Sequence, residues 1–204
     1  MFHVKQAALT FSPSTEQRLR DFARLLLQWN PRINLISPAD EAAVWERHVL
    51  DSAQLAALLP GDASTLTDLG SGAGFPGLVL AIVTGRRVHL VEADKRKSAF
   101  LREAARLTQV DVTVHVTRAE SVQIERAAAI TARALAPLPL LLRLAVPLLE
   151  EGGVCLFPKG RAVADELTAA QREWNMQVER FPSRTSPDAT ILRLREIHPV
   201  TPPG

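Results

Sequence analysis

The chain has 204 residues, 47% of them hydrophobic and 23% charged, which suits one globular domain; at that length about 70% of the unfolded surface can be buried without staples. A single cysteine excludes an internal disulfide framework and leaves no basis for a cysteine metal site, so a cytoplasmic protein without metal is expected. The formal charge of +2 says little about partners, and neither the start, Met1 Phe2 His3 Val4 Lys5 Gln6, nor the leucine run at 134–149, broken by Pro137, Pro139, Arg143 and Pro147, indicates a membrane role.

In chain order, Ser14 followed by Gln17 has the form of a capping box, and Leu19, Phe22, Ala23, Leu26 and Leu27 recur at helical spacing until Asn30-Pro31 ends the helix. Ser37-Pro38 opens a second helix, with Asp40 and Glu41 in its first turn, that continues through Val44, Trp45, His48 and Leu55 to Leu59. Residues 1–62 therefore read as a helical cap on a single domain whose core is 63–204. Within the core, strands are expected at 65–69, 88–92, 112–117, 128–132 and 154–157. Helices are expected from 78, over 95–108, briefly at 120–126, over 138–149 and over 162–174. A closing hairpin is predicted at 176–180 and 191–195. This alternation predicts an α/β fold with a doubly wound, mainly parallel sheet. Ligands of such sheets sit beyond the carboxyl ends of the strands, where Asp68, Glu92, Glu120 and Arg133 would converge.

The first strand runs into four glycines within eight residues, Gly70, Gly72, Gly74 and Gly77. A turn without Cβ atoms ahead of a helix start is built to admit a nucleotide. Two registers fit. Gly72 to Gly77 matches the dinucleotide fingerprint G-x-G-x-x-G and would make a nicotinamide-dependent oxidoreductase. Asp68-x-Gly70-x-Gly72-x-Gly74 instead looks like the S-adenosylmethionine loop of Rossmann-like methyltransferases, where Asp68 would face the cofactor's ammonium directly or through water and would repel a pyrophosphate.

Glu92 lies 22 residues after Gly70, the place of an acid that holds both ribose hydroxyls in either class. Ala119 and Glu120 follow the third strand, where backbone and carboxylate can meet the adenine. After the fourth strand the chain reads Ala132 Arg133 Ala134 Leu135 Ala136, without the Asn/Asp-Pro-Pro-aromatic turn of enzymes that methylate exocyclic amines. Cys155, in an apolar strand, reads as core packing. The remaining target is an atom that needs no deprotonation, and guanine N7 fits. Between Arg86 and Arg106 seven basic residues face three acids, and Lys95, Arg96 and Lys97, with Arg161 later, suit RNA phosphates.

These residues resemble the small-subunit ribosomal RNA guanine-N7 methyltransferase family, also called glucose-inhibited division protein B, over about residues 15–195. The marks are Asn34-Leu35, the stretch Arg47 His48 Val49 Leu50 Asp51 Ser52, the loop from Asp68 to Gly77, Arg118 Ala119 Glu120, Arg133-Ala134 and Pro158 Lys159 Gly160. The resemblance implies a class I methyltransferase fold. It implies that Gly70, Phe75, Ala119, Glu120 and Arg133 contact S-adenosylmethionine, and that the substrate is a guanine in a functional loop of 16S RNA, as RNA or in the small-subunit particle; apart from the resemblance, a monomer is expected. It further implies that Lys159, with Arg47 and His48, faces RNA or the substrate pocket, Arg133 and Lys159 positioning the substrate without a general base. Family members often open the fourth strand with an acid where this chain has Ala127 Ala128 Ala129, often carry aspartate where it has Glu92, and usually have a polar partner at the tip of the glycine loop, absent here. A small-molecule methyltransferase and a nucleotide-sensing module without turnover are further readings.

Overall fold

A computed structural model describes residues 9–61 and 63–200; the first residues, from Met1 to Gln6, lie outside the described residues. Five parallel strands, β1 (Thr65–Leu69), β2 (Arg87–Val91), β3 (Val112–His115), β4 (Ala127–Ala132) and β5 (Leu149–Lys159), are joined by the antiparallel pair β6 (Trp174–Pro182) and β7 (Thr190–Pro199). The strand order is β3-β2-β1-β4-β5-β7-β6. It reverses between β1 and β4, so the crevice of a doubly wound sheet opens beyond the ends of those two strands.

Both faces of the sheet are covered, which is why β1 and β4 are almost wholly buried, Thr67 and Asp68 of β1 included. One core joins Leu19, Phe22 and Leu26 of α1 (Pro13–Ile33) to Leu78 and Val79 and to Phe100 and Leu101. α2 is a single turn, Asp51–Ala53, and α3 (Gly77–Thr84) and α4 (Lys95–Thr108) lie on this same face. The other core gathers Leu138, Leu141 and Leu142 of α5 (Leu138–Ala145), Leu167 of α6 (Val163–Ala170) and Leu192 of β7. The residues before β1 thus share one hydrophobic core with the sheet.

Several expectations need correction. Ser12, not Ser14, caps α1 through its hydroxyl to the Thr15 amide, with Pro13 in the first turn. Pro31 does not end α1. The helix closes three residues later at Asn34, in the left-handed region, while the Asn30 side-chain oxygen accepts the Leu35 and Ile36 amides at 2.7 and 2.9 Å. The second helix is continuous in path but not in pitch. It is a 3-10 turn at Pro38–Ala43, a π-helix at Trp45–Leu50, then α2, then another 3-10 stretch at Gln54–Leu58. The helix expected at 120–126 shrinks to a turn at Ala119–Ser121. Val122 and Ile124, two residues apart, both pack on the second core, which is the period of extended chain. β5 begins well before 154 and reaches Lys159, and α6 ends at Ala170 because Trp174 already belongs to β6.

Candidate active site

Two cavities lie side by side at the carboxyl ends of the strands. The first, a cleft of about 280 Å³, is lined by Gly70, Gly72, Glu92, Lys97, Ala119 and Glu120, and by Arg133, Ala134 and Leu135. Gly70 and Gly72 have φ of +67° and +54°, so the loop turns through the left-handed region, and a Cβ on Gly72 would meet nothing nearer than 3.8 Å. Glu92 sits where β2 ends. Its two carboxylate oxygens accept the Gly72 amide at 2.8 Å and the Asp94 amide at 2.7 Å, fixing an acceptor beside bare backbone. Those oxygens suit ribose hydroxyls, the small side chain of Ala119 leaves room for a flat base, and Lys97 and Arg133 offer cations to a carboxylate. S-adenosylmethionine therefore fits this donor set.

A pyrophosphate does not. Asp68 is fully buried, its Oδ1 accepting the Thr131 hydroxyl at 2.7 Å from the neighbouring strand. Its Oδ2 faces the first amide of α3 at Gly77, short of a well-formed hydrogen bond. Burial pushes this carboxyl up to about 6 from 3.8, with the Thr131 hydroxyl pulling the other way. The helix N-terminus that would receive a phosphate is thus filled by the chain's own acid, and Gly74, Phe75 and Gly77 do not line the cleft, which leaves Gly74 and Phe75 outside the expected S-adenosylmethionine contacts as well. Asp68 itself sits beneath the cleft and does not line it, so a direct contact with a cofactor ammonium is not what the fold prepares.

The second cavity, about 560 Å³, shares Arg133, Ala134 and Leu135 with the first and continues along Asp51, Lys159, Glu166, Ser183 and Thr190. Ala134, at the shared wall, has φ of +54°, a left-handed conformation uncommon for residues that carry a Cβ. Arg133 holds this wall. Its Nη2 donates to His48 Nδ1 at 3.0 Å, its Nη1 lies 3.5 Å from Asp51 Oδ2, and its guanidinium stands 5.1 Å from the centre of the Phe75 ring. His48 stacks on the same ring at 5.0 Å. Burial and then the Arg133 charge bring the His48 pKa down to about 4, so a neutral imidazole accepts from the arginine. The π-helical turn that carries His48 widens the backbone at this point.

Phe75 differs from its expected role, because its ring lies against Phe22 of α1 and under His48 and Arg133, joining cap to core outside the cleft. Lys159 reaches the second cavity, but its ammonium is committed to Glu166 Oε2 at 2.8 Å and to the Ala136 carbonyl at 2.9 Å, bracing the wall segment. Lys97 belongs to the cleft, while Arg96, Arg47 and Arg161 do not line it and are exposed, paired with Asp94, Asp40 and Asp188. Cys155 is wholly buried, and burial raises its thiol pKa. Among the described residues no cluster could hold a metal, and no helix is long and apolar enough to cross a membrane.

The family model for rRNA small subunit methyltransferase G matches residues 15–191. The chain belongs to that family. Proteins named ribosomal RNA small subunit methyltransferase G are 57% identical in Rhodospirillum centenum over 95% of this chain and 90% of the relative, and 52% identical in Gluconobacter oxydans over 92% and 96%. Among solved structures, the O-methyltransferase from Bacillus cereus in complex with SAH superposes with a TM-score of 0.57 at 16% identity, covering 95% of this chain and 96% of that one. M. jannaschii TYW2 in complex with AdoMet gives 0.58 at 14% identity over 78% and 81%. These likenesses place the sheet among Rossmann-like methyltransferase folds. In this member of the small subunit methyltransferase G family, sequence reasoning missed Leu135, Glu166, Ser183 and Thr190 as cavity walls. No local spacing marks any of them, because each is brought to the cavity by the fold.

Proposed function

We propose that this chain transfers the methyl group of S-adenosylmethionine to N7 of a guanine in 16S ribosomal RNA of the small subunit. Family membership supports the reaction class, and the single observation that carries the geometry is the wall of Arg133, Ala134 and Leu135 common to the two cavities. A donor in the smaller cleft and a base in the larger cavity would meet there.

When bound, the cofactor supplies a methyl group already activated on a sulfonium. Gly70 and Gly72 admit it without side-chain obstruction, and Glu92 would hold its ribose. The N7 lone pair is free at neutral pH, so the residues have to align and exclude water, and alignment alone is worth several kcal/mol, on the order of 7 or more in favourable cases. Among the described residues no base is poised at the wall. The His48 Nδ1 is occupied by Arg133, Lys159 is paired with Glu166, and Asp68 is sealed below. Arg47, Lys95, Arg96 and Arg161 lie at exposed or partly exposed positions, and the exposed ion pairs of Arg47, Arg96 and Arg161 are weak enough to be exchanged for phosphates. The reading takes one chain, acting in the cytoplasm, as the working unit.

The test is transfer of labelled methyl from S-adenosylmethionine to small subunits from cells lacking the protein, followed by mapping of cationic guanine. One labelled guanine in 16S RNA is expected. No label in either naked RNA or subunits would overturn the reading, as would a thermal shift with NAD in place of S-adenosylhomocysteine. Light scattering of the protein with and without RNA checks the single-chain assignment.

A further inference from the structure

Guanine is distinguished from the other bases by two adjacent donors, N1–H and the 2-amino group, on the edge away from N7. A base that turns N7 to the wall of Arg133, Ala134 and Leu135 presents those donors to other parts of the larger cavity. Among the described residues, two acids line that cavity, Asp51 and Glu166. Asp51 is spent on the protein: Oδ1 accepts from Thr185 at 2.6 Å, Gln54 at 2.9 Å and Ser183 at 3.3 Å, and Oδ2 faces Arg133. Glu166 is divided differently. Oε2 accepts the Leu138 amide at 2.7 Å and the Lys159 ammonium at 2.8 Å, while Oε1 takes no hydrogen bond from the described residues. The side chain is locked by one oxygen and leaves the other for a ligand.

Resting on the proposed function, we infer that Glu166 selects guanine, its Oε1 accepting from the 2-amino group and N1–H of the target base. Lys159 and the Leu138 amide set the direction of the carboxylate, which makes Lys159 a positioning residue. The arrangement favours the reaction as well as the base. Methylation at N7 puts positive charge on the purine and makes its N–H groups stronger donors, so the contact tightens as the methyl arrives.

The experiment compares small-subunit RNA carrying guanine or inosine at the target position. Inosine keeps N7, O6 and N1–H and lacks only the 2-amino group. The wild type should prefer guanine by about tenfold in kcat/KM, the size of one charge-assisted hydrogen bond. In Glu166→Gln the Leu138 amide and Lys159 hold the amide oxygen, which leaves an NH₂ opposite the 2-amino group; the guanine preference should vanish or invert. Glu166→Ala, a second variant, should bring the ratio to about one. A purely structural glutamate would lower both substrates together and leave the ratio unchanged, which overturns the inference. If the wild type methylates neither RNA, it is the proposed function that falls.

Discussion

The two cavities on either side of Arg133 are made in different ways. The donor cleft is built from backbone and from residues at the ends of successive strands: Gly70 and Gly72 after β1, Glu92 after β2, Ala119 and Glu120 after β3. The larger cavity is built from side chains tied to one another, two pairs across long stretches of sequence, Asp51 with Thr185 and Arg133 with His48, and one pair between neighbouring elements, Lys159 with Glu166. A universal cofactor can be met by a loop and an acid at fixed spacing. A particular base in a particular RNA needs side chains whose directions are fixed by partners, and those partners come from wherever the fold brings them.

That contrast can be broken at its shared element. Arg133→Ala should remove methyl transfer by about a hundredfold or more, because the wall is misplaced for both sides, while circular dichroism shows a folded chain; full activity would mean that the arginine does not serve the junction. Next, Gly77→Ala tests the packing beneath the donor cleft, where Asp68 meets the start of α3. A Cβ there would stand 2.5 Å from a Leu90 methyl and 2.6 Å from the Asp68 Cβ. Denaturant unfolding should show a loss of about 1–3 kcal/mol, as for an overpacked core. Glu92→Ala should weaken S-adenosylhomocysteine binding by about tenfold in calorimetry without changing affinity for RNA; equal losses for both ligands would erase the distinction between the cavities.

The smallest effect is a difference in acid response. Asp68 has a folded pKa raised to about 6 from 3.8, so the stability that its neutral form allows is complete below 3.8 and is lost as pH rises through 6. His48 has its pKa lowered to about 4 from 6.5, so the neutral stack on Phe75 contributes above 6.5 and is lost as pH falls through 4. Unfolding free energies measured from pH 4 to 7 should converge on the wild type at opposite ends for the two variants: Asp68→Asn gains relative to wild type as pH rises, and His48→Gln gains as pH falls. Parallel curves would remove both assignments.

Much of the donor side is legible in the order of its residues, because each element there is short and its signal local. The helix predicted at 95–108 coincides with α4, and Asp94 caps it by accepting the Arg96 and Lys97 amides. The strand from Thr65 to Leu69 and the glycine turn follow from propensity and the absence of Cβ atoms. The failures have different causes. Beyond Pro31 the exit of α1 is held locally, the Asn30 side chain accepting the Leu35 and Ile36 amides, whereas the π-helical turn at Trp45–Leu50 goes with a tertiary contact, His48 stacked on the Phe75 ring. The helix expected at 120–126 gives way to burial of Val122 and Ile124. Lys159 is legible as important, but its partner Glu166, and hence its role as a brace, is not.

By itself the sequence determined the α/β alternation, the loop at Gly70 and Gly72, the acid at Glu92 and the family to which the chain belongs, since each depends on residue type and on short spacing along one chain. Only the tertiary structure decided that Asp68 closes the helix end instead of lining the cleft, that Phe75 seats the cap, and that Asp51, Arg133 and Glu166 border one cavity. The direction of a side chain is set by the groups that bond it, and for these residues those groups lie up to 134 positions away.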